Sequence, residues 1–125
     1  MTGGVDVGDA FLIPSGPSGS HLFVVCTGET QSGFRLLVSI STVREGKHHD
    51  PTRIVEPGAH PFVTARSYVA YGKADQRTTE HILRCVEKGL FIPKPAVSQE
   101  LLEHILSGFD ESDFTKPWVF ELLET

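Results

Sequence analysis

Residues 57–74 read PGAHPFVTARSYVAYGKA and gather His60, Arg66, Ser67, Tyr68, Tyr71 and Lys73 behind a Pro-Gly turn. An imidazole, with an ordinary pKa of about 6.5, gives and takes protons near neutrality. A guanidinium offers a planar fork that matches two phosphate oxygens, and a phenol ring presents a face on which an unpaired base can stack. One more imidazole, His21, follows the glycine-rich stretch PSGPSGS and opens an apolar run. Either these residues line a site or they form the solvated outer face of a strand. Alternation divides them first: Tyr68 and Tyr71 have opposite parity, so one of the two is expected in the core. His60 precedes Pro61 and also has a plainer use, in which its ring satisfies a backbone group of the turn.

Charge points to the same part of the chain. The formal net charge is -5, yet residues 35–77 hold seven Lys and Arg against four Asp and Glu. Residues 1–34 hold three acids and no Lys or Arg, and residues 78–125 hold nine acids against four bases. A basic middle on an acidic body attracts a phosphate-bearing ligand locally, although a solvated sheet face gives the same tally. His48 and His49 beside Asp50 do not make a metal site, because adjacent side chains on an extended chain diverge and no third ligand stands at a recognisable spacing. Cys26 and Cys85 form no CxxC pair and read as buried reduced thiols. There is no GxxxxGK[ST], GxGxxG or GxSxG, so phosphate-loop, dinucleotide and hydrolase-elbow chemistry find no support.

The elements that must position these residues divide into two halves. DAFLI (9–13), HLFVVCT (21–27), FRLLVSIST (34–42), TRIV (52–55) and SYVAY (67–71) are short, rich in Val, Ile and Phe, and bounded by turn residues, so about five antiparallel strands in a small curled barrel are expected. Pro57-Gly58 suits the centre of a type II turn, and Asp50 before Pro51 suits an Asx turn. After residue 75 the pattern becomes helical. Thr78 or Thr79 can cap a helix that Gly89 ends, Ser98 a second that Gly108 ends, and Thr115 a third. The expectation is one α+β domain over residues 1–125, strands over about 9–75 and two or three helices over about 78–124. No apolar run reaches the ~20 residues of a membrane span and no signal-peptide layout opens the chain, so a soluble cytoplasmic protein with no membrane partner is expected.

GDAFLI (8–13), the glycine-rich loop, HLFVV (21–25) and LLVSISTV (36–43) together resemble the amino-terminal half of PemK/MazF-like toxins. Gly8-Asp9 match that family's opening turn, Gly19-Ser20-His21 stand where its loop ends in a glycine and a basic residue, and Ser67-Tyr68-Val69 resemble a later strand. His21 occupies the place of an Arg that is typically followed by Pro, and the family's Arg-bearing catalytic strand has no clean copy here. The resemblance covers residues 6–107 in outline. It implies an SH3-like barrel with helices, a homodimer, an antitoxin protein as partner, and cofactor-free, metal-independent cleavage of single-stranded RNA.

Such cleavage needs a base for the 2'-hydroxyl proton, an acid for the leaving oxygen and a cation for charge building on the phosphate. Under this reading His21 and His60 share the proton transfers and Arg66 holds the phosphate. Ser20, Ser67, Tyr68, Tyr71 and Lys73 then orient the nucleotide. The rival reading is a non-catalytic SH3-like barrel of a toxin–antitoxin or phage-related locus. It would bind a protein partner through the tail FDESDFTKPWVFELL (109–123), with Phe109, Phe114, Trp118 and Phe120 as anchors. The same aromatics would equally well seal the open end of the barrel.

Overall fold

A computed structural model of the protein describes residues 4–17 and 19–124; Ser18, in the glycine-rich loop, lies outside them. The apolar runs form β1 (Ala10–Pro14), β2 (Ser20–Val25), β3 (Phe34–Thr42), β4 (Ile54–Val55) and β5 (Ser67–Thr78). A sixth strand, β6 (Ile92–Lys94), lies between the first two of the three helices among the described residues, so the order is not strands first and helices after. Its three residues carry a central proline and no strand signal. Pro93 is accommodated because β6 is an edge strand that pairs only with β1. All pairings are antiparallel in the order β4-β5-β3-β2-β1-β6, a curled half-barrel in an α+β fold.

Turn and cap chemistry behaves as the residue types dictate. The Ala59 amide bonds to the Glu56 carbonyl at 3.2 Å across Pro57-Gly58, and Gly58 takes the positive φ of +92° that a type II turn requires. Helix α1 (Thr79–Glu87) starts on Thr78, whose hydroxyl accepts from the His81 amide at 3.0 Å. It ends on Gly89, past which the Leu90 amide returns to the Cys85 carbonyl at 2.8 Å. Ser98 caps α2 (Gln99–Leu106) in the same way. Thr115 does not cap α3 (Pro117–Leu123). Lys116 stands at that position with no side-chain capping bond, and Pro117 in the first turn leaves one fewer amide to satisfy.

Both faces of the central strands are covered, which explains why β2 and β3 read as nearly continuous apolar runs. On one face Leu22, Val24, Leu36, Val38, Ile40, Val69 and Tyr71 pack against Leu101, Leu102 and Ile105 of α2 and Val119 and Leu122 of α3. On the other, Phe11, Ile13, Phe23, Val25 and Leu37 pack against Ile82 and Cys85 of α1 and Phe91. Both cysteines are free and buried, and burial pushes the Cys26 thiol up to about 12. No described helix is long and apolar enough to cross a membrane.

Tyr71 is fully buried and donates its hydroxyl hydrogen to the Ile105 carbonyl at 2.6 Å, with its ring edge-on to Phe109 at 4.9 Å. Gly108 stands over that ring. A Cβ there would lie 2.5 Å from Tyr71 Cζ and 2.8 Å from Arg53 Cγ. Space, not a left-handed φ, therefore requires glycine at 108. Gly108→Ala is expected to destabilise the fold by about 2–3 kcal/mol through overpacking. Urea unfolding checks this, and an unchanged midpoint would contradict it.

Candidate functional site

Helix α1 covers only part of its face of the sheet. Along β2 that face carries Val25, Phe23 and His21, and along β3 it carries Leu37, Ser39 and Ser41. The opposite face stays apolar through Leu36, Val38 and Ile40. Polarity thus enters this face already at Ser39, where α1 no longer reaches, while the opposite face stays apolar as far as Ile40. An open cleft of about 750 Å³ lies there, lined by His21, Ser39, Ser41, Tyr68 and Lys73 with Ser20 and Ser67 beside them.

An irregularity in β5 supplies Lys73. Ser39 pairs with Ala70 but Leu37 pairs with Asp75, so Val38 alone faces Tyr71, Gly72, Lys73 and Ala74. Such a bulge re-aims side chains. Tyr71 turns into the core and Lys73 reaches the cleft. The bulge is propped from behind: Lys116 Nζ donates to the Gly72 carbonyl at 2.9 Å, and a Cβ on Gly72 would lie 3.1 Å from that of Phe114.

The wall beyond β3 is the loop of residues 43–49. The Val43 amide ties its start to the Arg66 carbonyl at 2.9 Å, and Lys47 turns back onto Arg44 at 3.1 Å. Arg44, Lys47, His48 and His49 all line the cleft, and the His49 ring packs on Tyr68 at 5.2 Å. Asp75 is the one lining carboxylate among the described residues, and Arg77 neutralises it at 2.8 Å. On a chain with net charge -5, this cleft concentrates three full cations and three imidazoles.

His21 sits at the centre of this field. Its Nδ1 shares a hydrogen with Ser15 Oγ at 2.6 Å, leaving Nε2 without a hydrogen bond among the described residues. Partial burial holds the ring below the ordinary imidazole value, and the positive charges of Lys73 and Arg44 lower it further. Near neutrality it is therefore an uncharged base facing cations.

Three of the expected site residues lie elsewhere. His60 is buried, with Nδ1 accepting from the Phe62 amide at 3.0 Å and Nε2 donating to the Pro95 carbonyl at 2.6 Å. An amide can only donate and a carbonyl only accept, so both ring nitrogens are committed and His60 is a neutral core residue. Arg66 is exposed outside the cleft, 3.6 Å from an equally exposed Glu56, an ion pair worth little in water. Tyr71 is the core member of the tyrosine pair. Of the tail aromatics, Phe109 is buried, Trp118 and Phe120 pack against the core, and Phe114 alone is exposed.

The sequence reading missed Arg44, Lys47, His48, His49, Ser39 and Ser41. A signal existed for the serines, since VSIS (38–41) alternates apolar and polar residues. The loop cations became legible only once the turn at 44–47 brought them over the sheet. Neither a family model nor a curated protein matches the chain.

An NMR titration of the His21 ring is expected to give a midpoint below about 6.5. Lys73→Met should raise it, because one repelling charge is gone. A midpoint at or above the ordinary value in the unaltered protein would contradict this electrostatic account.

Proposed function

We propose that the protein is a metal-independent endoribonuclease that takes single-stranded RNA into this cleft. The observation that carries the proposal is the set of cations and imidazoles, drawn from the basic middle of an acidic chain, around a base of lowered pKa. The resemblance to PemK/MazF-like toxins and the curled antiparallel sheet packed with helices support it, an SH3-like barrel being what that resemblance implies. In the proposed reaction His21 takes the proton from a ribose 2'-hydroxyl. The 2'-oxygen attacks phosphorus, the bond to the 5'-oxygen breaks, and that oxygen takes a proton from an imidazolium in the cleft, for which His48 and His49 are available. Lys73 and Arg44 offset charge building on the phosphate. Tyr68 offers a stacking face worth roughly 1–3 kcal/mol per base.

A second reading, a barrel that binds its ligand without cleaving it, is favoured by one observation: His60 and Arg66, which would complete a more conventional set, lie outside the cleft. Incubation of the purified protein with single-stranded RNA in EDTA separates the two. Cleavage is expected, and His21→Ala should slow it by about a hundred- to ten-thousand-fold, the range of a lost general base. As pH falls through the His21 pKa the base is protonated and activity is lost. Because that pKa is lowered, the acid limb should lie below about 6.5. Binding without cleavage supports the second reading, and neither binding nor cleavage overturns both.

A further inference from the structure

We infer that Asp50 is a positioning residue that pins the cationic wall of the cleft to the carboxy-terminal segment through Ser112. The inference rests on the reading of the cleft as an RNA site. Asp50 is buried, 7% exposed, yet no cation pairs with it among the described residues. Both of its carboxylate oxygens are instead met by hydrogen-bond donors. Oδ1 accepts from the Thr52 amide at 2.9 Å and from the Thr52 hydroxyl at 2.6 Å, and Oδ2 accepts from the Ser112 hydroxyl at 2.5 Å. Ser112 Oγ in turn accepts from the Phe114 amide at 3.0 Å. Burying a carboxylate is costly unless such donors meet it, so the arrangement holds only in one geometry.

What that geometry holds is the loop of residues 43–49, in which residues 44–48 are exposed. At its start the loop is tied by the Val43 amide, and at its end the chain is fixed by Asp50. Between these ties stand Arg44, Lys47, His48 and His49, with the Lys47 amide on the Arg44 carbonyl and the His49 ring on Tyr68 as the further contacts of this stretch. The anchor is reinforced one step further along. Arg53 makes a two-pronged ion pair with Glu111 at 2.8 and 3.2 Å and bonds to Ser107 Oγ at 3.1 Å, while His104 Nε2 donates to the Ile54 carbonyl at 2.9 Å. The Asp50 carboxylate itself does not line the cleft, so its negative charge is sequestered next to a wall that must attract anions.

The test compares the full chain with Asp50→Ala, Asp50→Asn and Ser112→Ala. Backbone order parameters for residues 45–49 are expected near about 0.85 in the unaltered protein and below about 0.6 in Asp50→Ala and Ser112→Ala, with β3 and β5 unchanged. Asp50→Asn should stay near the unaltered values, since its amide can donate to Ser112 Oγ in reverse. It also decides the matter against Ser112→Ala if Asp50→Ala fails to fold. Binding of a fluorescein-labelled single-stranded RNA of about twelve mixed nucleotides, followed against salt, should lose about one to two from its slope in Asp50→Ala and Ser112→Ala, one for each phosphate contact released. A merely structural Asp50 would lower stability and leave that slope alone, which overturns the proposal. Order parameters that are already low in the unaltered protein, or that do not change on substitution, overturn it too. If the unaltered protein binds no RNA, the RNA reading fails, and the order parameters alone then uphold or refute the pin.

Discussion

The buried phenol of Tyr71 sets much of the architecture. A tyrosine hydroxyl taken out of water needs a partner, and an orphaned one costs about 1–3 kcal/mol. Ile105 supplies its carbonyl at the end of α2, and Gly108 leaves the space for the ring. Fixing Tyr71 inward forces the chain around it. Four residues of β5 must pass a single residue of β3, and the excess leaves Lys73 on the opposite side of the sheet. One interior contact thus determines where a cation of the cleft stands.

The segment from Ile105 to Lys116 serves both walls of the cleft. It receives Tyr71, props Gly72 through Phe114 and Lys116, and holds Asp50 and Arg53 through Ser112 and Glu111. Of its two aromatic side chains, Phe109 is buried in the core and Phe114 stays exposed beside Gly72. The division of charge follows the same plan. Acidic residues dominate the two ends of the chain, and the middle delivers Arg44, Lys47 and Lys73, three of its seven cations, to one cleft, so the local field there opposes the net charge of the molecule.

Local rules made much of the fold legible. Caps at Thr78 and Ser98, the Pro57-Gly58 turn and the Asx turn at Asp50 depend on bonds within a few residues, and each forms from the residues that suggested it. The α+β class followed from the switch of apolar period. What stayed hidden depends on distant partners. His60 is committed by a carbonyl 35 positions away at Pro95, β6 exists because β1 offers an edge, and the bulge requires knowing that Val38 lies opposite. The basic middle was visible as a tally, but which of its cations converge was not. Arg66 and Lys73 sit in the same segment and end in different surroundings.

The central claim is that a polyanion with exposed bases occupies the cleft beside α1. The most direct measurement is a map of NMR chemical-shift changes, backbone amide and histidine ring, as single-stranded RNA is titrated into the protein in EDTA. The account predicts that the largest changes fall on His21, Lys47, His49, Tyr68 and Lys73, and that His60 and Arg66 stay still. Changes that cluster around Phe114 and the outer face of α2, or no changes at saturating RNA, would contradict it.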